Sequence, residues 1–141
     1  TRDRASGSWW RERRTLGFLG AAVLLVIAAL LVGISDNPPG IVLLYGAGVT
    51  AVLAVTHQWR SSRQFAYLVL AAALGFFMLA AIHNFAEVGA ERLSHLPVVA
   101  YPLAAVSVVG FMLAVVLCPA AVLVGVVGWV SMVLSGVRKQ G

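Results

Sequence analysis

Charge is what this sequence has least of. Only 11% of its 141 residues are Asp, Glu, Lys or Arg, against 61% hydrophobic, and the mean hydropathy is +0.96. A soluble domain of this size has too much surface for its volume to hide that much apolar side chain. Lipid must therefore be the solvent for most of the chain, and the length suits one membrane domain. Asp, Glu, Lys, Arg and His are absent altogether from 16–33, 41–55, 65–82 and 103–134. Ion-coupled transporters, proton pumps and voltage sensors need such groups at depth. Those classes are excluded, as is a small exporter that works through a buried carboxylate.

Cysteine is nearly absent too. The one residue, Cys118, excludes an intramolecular disulfide and a cysteine-based metal site within one chain. It sits in an apolar run, the setting of an unreactive thiol. Histidine is limited to His57, His83 and His95. Two axial ligands must face one iron, and His57 and His83 fall at opposite ends of their spans, so haem is not expected. There is no nucleotide loop, catalytic serine motif, HExxH pair or nucleic-acid module. The leaning is toward a protein that is not an enzyme and binds no nucleic acid.

Four apolar stretches are present. The expected fold is all-α, a bundle of four transmembrane helices spanning about 16–34, 38–57, 64–83 and 102–134. Outer loops are expected at 35–37 and 84–101. A basic segment, 1–15, precedes this single domain of 16–137, and a basic tail, 138–141, follows it. In "SDNPPG", Asp36 or Asn37 can cap the second helix, with Pro38 in its first turn. Ser61 and Gln64 have the spacing of a capping box for the third. The fourth stretch, 97–137, would reach roughly 60 Å as a helix, twice the hydrocarbon thickness. Pro102 and Pro119 are expected to kink it.

Basic residues decide the topology. With four spans, Arg2, Arg4, Arg11, Arg13, Arg14, Arg60, Arg63, Arg138 and Lys139 share one side and Arg92 alone lies on the other. Nine of ten on one side is a strong positive-inside bias, placing both termini in the cytoplasm beside anionic headgroups. A break at Cys118–Pro119 would make five spans, but there is no polar turn there. A cleaved leader is the weaker reading of the N-terminal run, which is long and lacks a clean small-residue cleavage site.

"WRERRTLGFL" (10–19) aligns with "WRSSRQFAYL" (59–68), each standing before an outward-going helix. If this is a duplication, the chain is two helical hairpins related by a pseudo-two-fold axis along the membrane normal. Interfacial Trp and Arg anchoring explains the same likeness without one.

The one dense polar stretch is "HNFAEVGAERLSH", 83–95. His83, Glu87, Glu91 and His95 recur every fourth residue, so successive pairs share a helical face. The face drifts by about 40° per step, so four such residues cannot surround one ion on a straight helix. Imidazole and carboxylate suit a divalent zinc, iron or manganese ion, with Asp36 as a further ligand. Asp36, Asn84, Glu87 and Glu91 are the matching candidates for a small polar ligand. The stronger expectation is a wet loop: Gly89 interrupts the helix and Asn84 turns the chain, leaving Glu87, Glu91 and Arg92 solvated. Small residues, Gly125, Gly128 and Ser131 above all, are candidates for close helix packing.

The leading expectation is a non-catalytic accessory, assembly or self-associating subunit. Its contacts are the last helix and the outer loops, and its partner a second copy or another membrane subunit. The alternatives are an outer-face metal or polar-ligand site serving transport or hydrolysis, and a pore-forming or lipid-handling protein.

Overall fold

The computed structural model describes residues 2–34 and 37–137, and among these the side chains of 12–34 and 37–135. Every regular element among them is helical: α1 (Arg2–Val32), α2 (Pro38–Thr56), α3 (Ser62–Arg92), α4 (Pro97–Met112), a π turn (Leu113–Leu117) and α5 (Cys118–Val137). The last three are contiguous and form one apolar rod over Pro97–Ser135, so four helices are long and apolar enough to cross a membrane. The chain is a multi-pass membrane protein.

The turns follow from local chemistry. Gly33 ends α1 with φ of 92°, a left-handed conformation that costs glycine nothing. A Cβ at Gly40 would overlap the Gly33 carbonyl, so two glycines meet where α1 and α2 join. Asn37 occupies the N-cap position of α2 without a side-chain cap bond, and Pro38 enters the first turn. Its amide instead donates to Val32 O of α1 at 2.8 Å, satisfying a carbonyl at that helix end. The capping box forms: Ser61 N–H donates to Gln64 Oε1 at 3.3 Å, and α3 begins at Ser62.

α3 departs from expectation at its C-terminal end. It does not stop at 83 or break at Gly89 but continues to Arg92, leaving only a short turn before Pro97. The loop expected over 84–101 is therefore mostly helix. The reason is packing. A Cβ at Gly89 would stand 3.3 Å from Leu103 Cδ1, so its bare backbone is the surface α4 rests on. Gly89 O still accepts from Leu93 N–H at 3.0 Å. Tertiary contact outweighs glycine's helix penalty of about 1 kcal/mol.

The helices pack in an open order. α1 packs on α2 alone, α2 on α5 and the π turn, and α5 on α3, with α4 running along α3. α1 does not pack on α3, nor α2 on α3, among the described residues. The α3 seam is built from small residues on the last rod: Ser107, Ala114 and Ala121 are buried at seven-residue intervals, with Gly110 and Cys118 between them. A Cβ on Gly110 would lie 3.4 Å from Leu79 O, so backbone meets backbone there. Such approach is how helices gain contact in lipid, where burial of apolar area offers little.

Pro119 explains the π turn. In an α-helix residue 119 would donate to the carbonyl of 115, and proline has no N–H to give. The rod widens just before it, with Cys118 N–H donating five residues back to Leu113 O. Tyr45 of α2 supplies the missing donor, its hydroxyl giving a 2.8 Å bond to Val115 O. Gly48 makes the approach possible, since its Cβ would stand 3.2 Å from Val116 Cγ1 and 3.3 Å from Ala120 Cβ. The kink expected at Pro119 is thus a local change of winding that α2 is built to meet.

Candidate functional site

The polar centre at the α3–α4 end of the bundle is His83. It projects from α3 onto α4, where its Nδ1 lies 2.8 Å from Ser107 Oγ and 3.1 Å from Ser107 O. The Phe111 ring packs beside the imidazole, with centroids 5.1 Å apart. Nε2 points the other way, 3.6 Å from Glu87 Oε2 one turn along α3. The contacts serve either tautomer: a hydrogen on Nδ1 is donated to Ser107, whose carbonyl can only accept, and a hydrogen on Nε2 faces the carboxylate while Nδ1 accepts from the Ser107 hydroxyl.

Serine, histidine and glutamate in that order have the connectivity of a catalytic triad, but not its surroundings. Ser107 is 6% exposed. It stands inside α4, where backbone N–H groups are committed to helix bonds and no oxyanion hole forms. None of the larger cavities is lined by it. The geometry instead joins two helices: a polar pair across an apolar seam, of the kind that fixes register in lipid.

The other polar residues expected near this end do not converge on His83. Asn84 turns back to its own helix, its amide donating to Ala80 O at 2.7 Å. Glu91 lines a separate shallow groove of about 330 Å³ with Ser94 and Tyr101. His95 is exposed in the turn after α3. Asp36 lies outside the described residues. Among those described, no three His, Cys, Asp or Glu side chains stand together as metal ligands. What the structure brings together is the His83–Glu87 pair, with Ser107 from α4.

The small residues of α5 pack within the chain. A Cβ at Gly128 would overlap the Phe65 ring, and one at Gly125 would press on Val69 and stand 3.2 Å from Phe65 O. Ser131 is exposed, its hydroxyl bonded to Val127 O of its own helix at 2.7 Å. Thr50 and Thr56 likewise bond carbonyls four residues back, at 2.6 and 2.9 Å. These hydroxyls are spent on backbone rather than turned toward a pore.

The opposite end holds a second polar group. His57 Nδ1 lies 3.1 Å from Leu53 O and 3.0 Å from Ala54 O, so that nitrogen carries the hydrogen. Phe18 of α1 packs tilted against the ring, with centroids 5.6 Å apart, which brings the Arg13–Arg14 end of α1 to the level of His57 and Arg60. A cavity of about 380 Å³ opens here between α2, the start of α3 and α5.

Two of these residues were not singled out as partners from sequence. Ser107 had a signal: it shares a seven-residue spacing with Ala114, Ala121 and Gly128, which marks it as seam-facing. Tyr45 had a fainter one, since a proline inside an apolar helix frees a carbonyl that some donor must meet. No family model, curated protein or solved structure matches the chain.

Proposed function

We propose that this chain is a non-catalytic accessory or assembly subunit that meets another membrane protein, or a second copy, through the outer tip of the α3–α4 hairpin. One observation carries the reading. At 1.5 Å per residue α3 is about 46 Å long, well beyond a hydrocarbon core of about 30 Å. The tip carries large apolar side chains with nothing over them: Phe85 is 80% exposed, Val98 87% and Tyr101 75%. Apolar surface held beyond the lipid is a mark of an interaction site.

The positive-inside bias supports cytoplasmic termini, which would place this tip outside. The packing order α1–α2–α5–α3 also fits two hairpins about a two-fold axis between α2 and α5, an axis that would exchange α1 with α3. In that reading the second hairpin is the longer and carries the contact.

A photo-crosslinking residue at Val98 tests this in native membranes. One discrete protein adduct is expected, its mass distinguishing a second copy from a different subunit. The same residue at Leu31, an exposed position on α1, should give lipid adducts only. Phe85→Glu should abolish the Val98 adduct while leaving the fold intact. Lipid adducts alone at Val98 would end this reading.

A further inference from the structure

We infer that the cavity between α2 and α5 at the arginine-rich end is a binding site for one anionic phospholipid, an acyl chain inside and the phosphate on Arg60. The cavity's volume, about 380 Å³, lies in the range of roughly 300–1,000 Å³ typical of small-molecule sites. Its walls are split by chemistry. Val49, Leu53, Val124 and Val127 make an apolar chamber, while Trp59 and Arg60 stand at the chain turn that leads into α3. That is the form of an amphiphile, apolar along its length and charged at one end.

The charge fixes which amphiphile. Arg60 is exposed, and among the described residues no carboxylate pairs with it. Arg63 follows one turn on, and Arg13 and Arg14 stand at the same end, brought there by the Phe18–His57 contact. A guanidinium meets a phosphate with two parallel hydrogen bonds, and a cationic rim at a membrane surface gathers anionic headgroups. Trp59 packs edge-on to Phe65, with centroids 5.5 Å apart, giving the headgroup level an aromatic anchor. Gly128 lines the same chamber and lets the Phe65 ring lie directly on α5 as one wall, since a Cβ there would overlap it. A zwitterionic lipid has the same chains but no net charge for Arg60 to hold.

Native mass spectrometry of the full chain in detergent tests the site. The probes are phosphatidylglycerol and phosphatidylcholine with identical acyl chains. One phosphatidylglycerol should bind preferentially, and Arg60→Gln should weaken it by several-fold to about tenfold, the loss of one charge-assisted contact. Arg63→Gln, which removes a neighbouring charge outside the cavity lining, should change binding by less than about twofold. Val127→Trp, which fills the chamber from α5, should weaken binding as much as Arg60→Gln. If that variant does not fold, Leu123→Trp makes the same test from a side chain that is 56% exposed. Equal binding of the two lipids, equal loss from Arg60→Gln and Arg63→Gln, or full binding with the chamber filled would each overturn the site.

Discussion

The two hairpins of this molecule place their glycines differently. α1 packs closely on α2 alone, through Ala22 and Ala29, and its other faces lie open: Gly17 and Gly20 have no atom within 4 Å of where a Cβ would be, and large side chains such as Leu24 and Leu31 are 67% and 83% exposed. In α3–α4–α5 the same residue type is under compression, since Gly125 and Gly128 have no room for a single added carbon. Glycine content therefore says little by itself about where helices meet. Buried small residues recur every seven positions in both hairpins, Ala22 and Ala29 on α1, Gly40, Ala47 and Ala54 on α2, and Ser107, Ala114 and Ala121 on the last rod; Gly128 continues that register, whereas Gly17 and Gly20 stand off it.

The sharpest test of that contrast is a pair of equal substitutions. Gly128→Leu should be the most disruptive change, destabilising the chain by about 3 kcal/mol or more, because the added atoms must displace Phe65 from a packed seam. Gly20→Leu should shift stability by less than about 0.5 kcal/mol, since it extends into open lipid. Reversible unfolding in mixed detergent reads both. Comparable losses would mean that the Gly20 face of α1 is covered as tightly as the Gly128 face of α5.

A subtler test concerns the joint between the hairpins. Tyr45→Phe removes the hydroxyl that serves Val115 O and should cost about 1 kcal/mol, within the range for polar contacts between membrane helices. Pro119→Ala returns an N–H to the rod, and Tyr45→Phe made in that background should cost much less. If the two substitutions simply add in a double-mutant cycle, the tyrosine is not compensating for the proline.

Much of this architecture was legible in the chain. Charge-free runs located the four helices, and Ser61 with Gln64 marked the start of α3, because hydropathy and capping are local properties. The α3–α4 end was not legible in the same way. Gly89 reads as a breaker, and only the approach of Leu103, a residue on another helix, shows why it is kept within α3. The four-residue recurrence of His83, Glu87 and Glu91 was visible, but not that His83 turns to Ser107 across the seam while Glu91 faces a different groove. Spacing along one helix fixes a face. It does not say which neighbour occupies that face.

Ser107→Ala comes next in size. It should cost about 0.6 kcal/mol, the average for a hydrogen bond between membrane helices. His83→Ala should cost more, because it also removes the packing of the ring on Phe111. A cycle between the two positions should show coupling comparable to the Ser107→Ala loss. Without coupling, the 2.8 Å contact is not holding α3 to α4.

The smallest expected effect is the most informative about the His83–Glu87 cluster. Glu87 stands 3.6 Å from His83 with its side chain 55% exposed, so the pair gains little in a wet setting. Glu87→Gln should change stability by less than about 0.5 kcal/mol. A structural pair predicts nothing further. A metal site predicts a second, separate loss: stoichiometric zinc, iron or manganese in the purified protein that disappears in Glu87→Gln with His83→Ala. The two outcomes differ because a pair needs only the residues that touch, whereas a metal needs at least one ligand more than the structure brings to His83 and Glu87 among the described residues. Elemental analysis finding bound metal would require that ligand to come from Asp36 or from another subunit at the α3–α4 tip. The exposed apolar tip and the His83–Glu87 pair would then serve one interface rather than two unrelated ends of a helix.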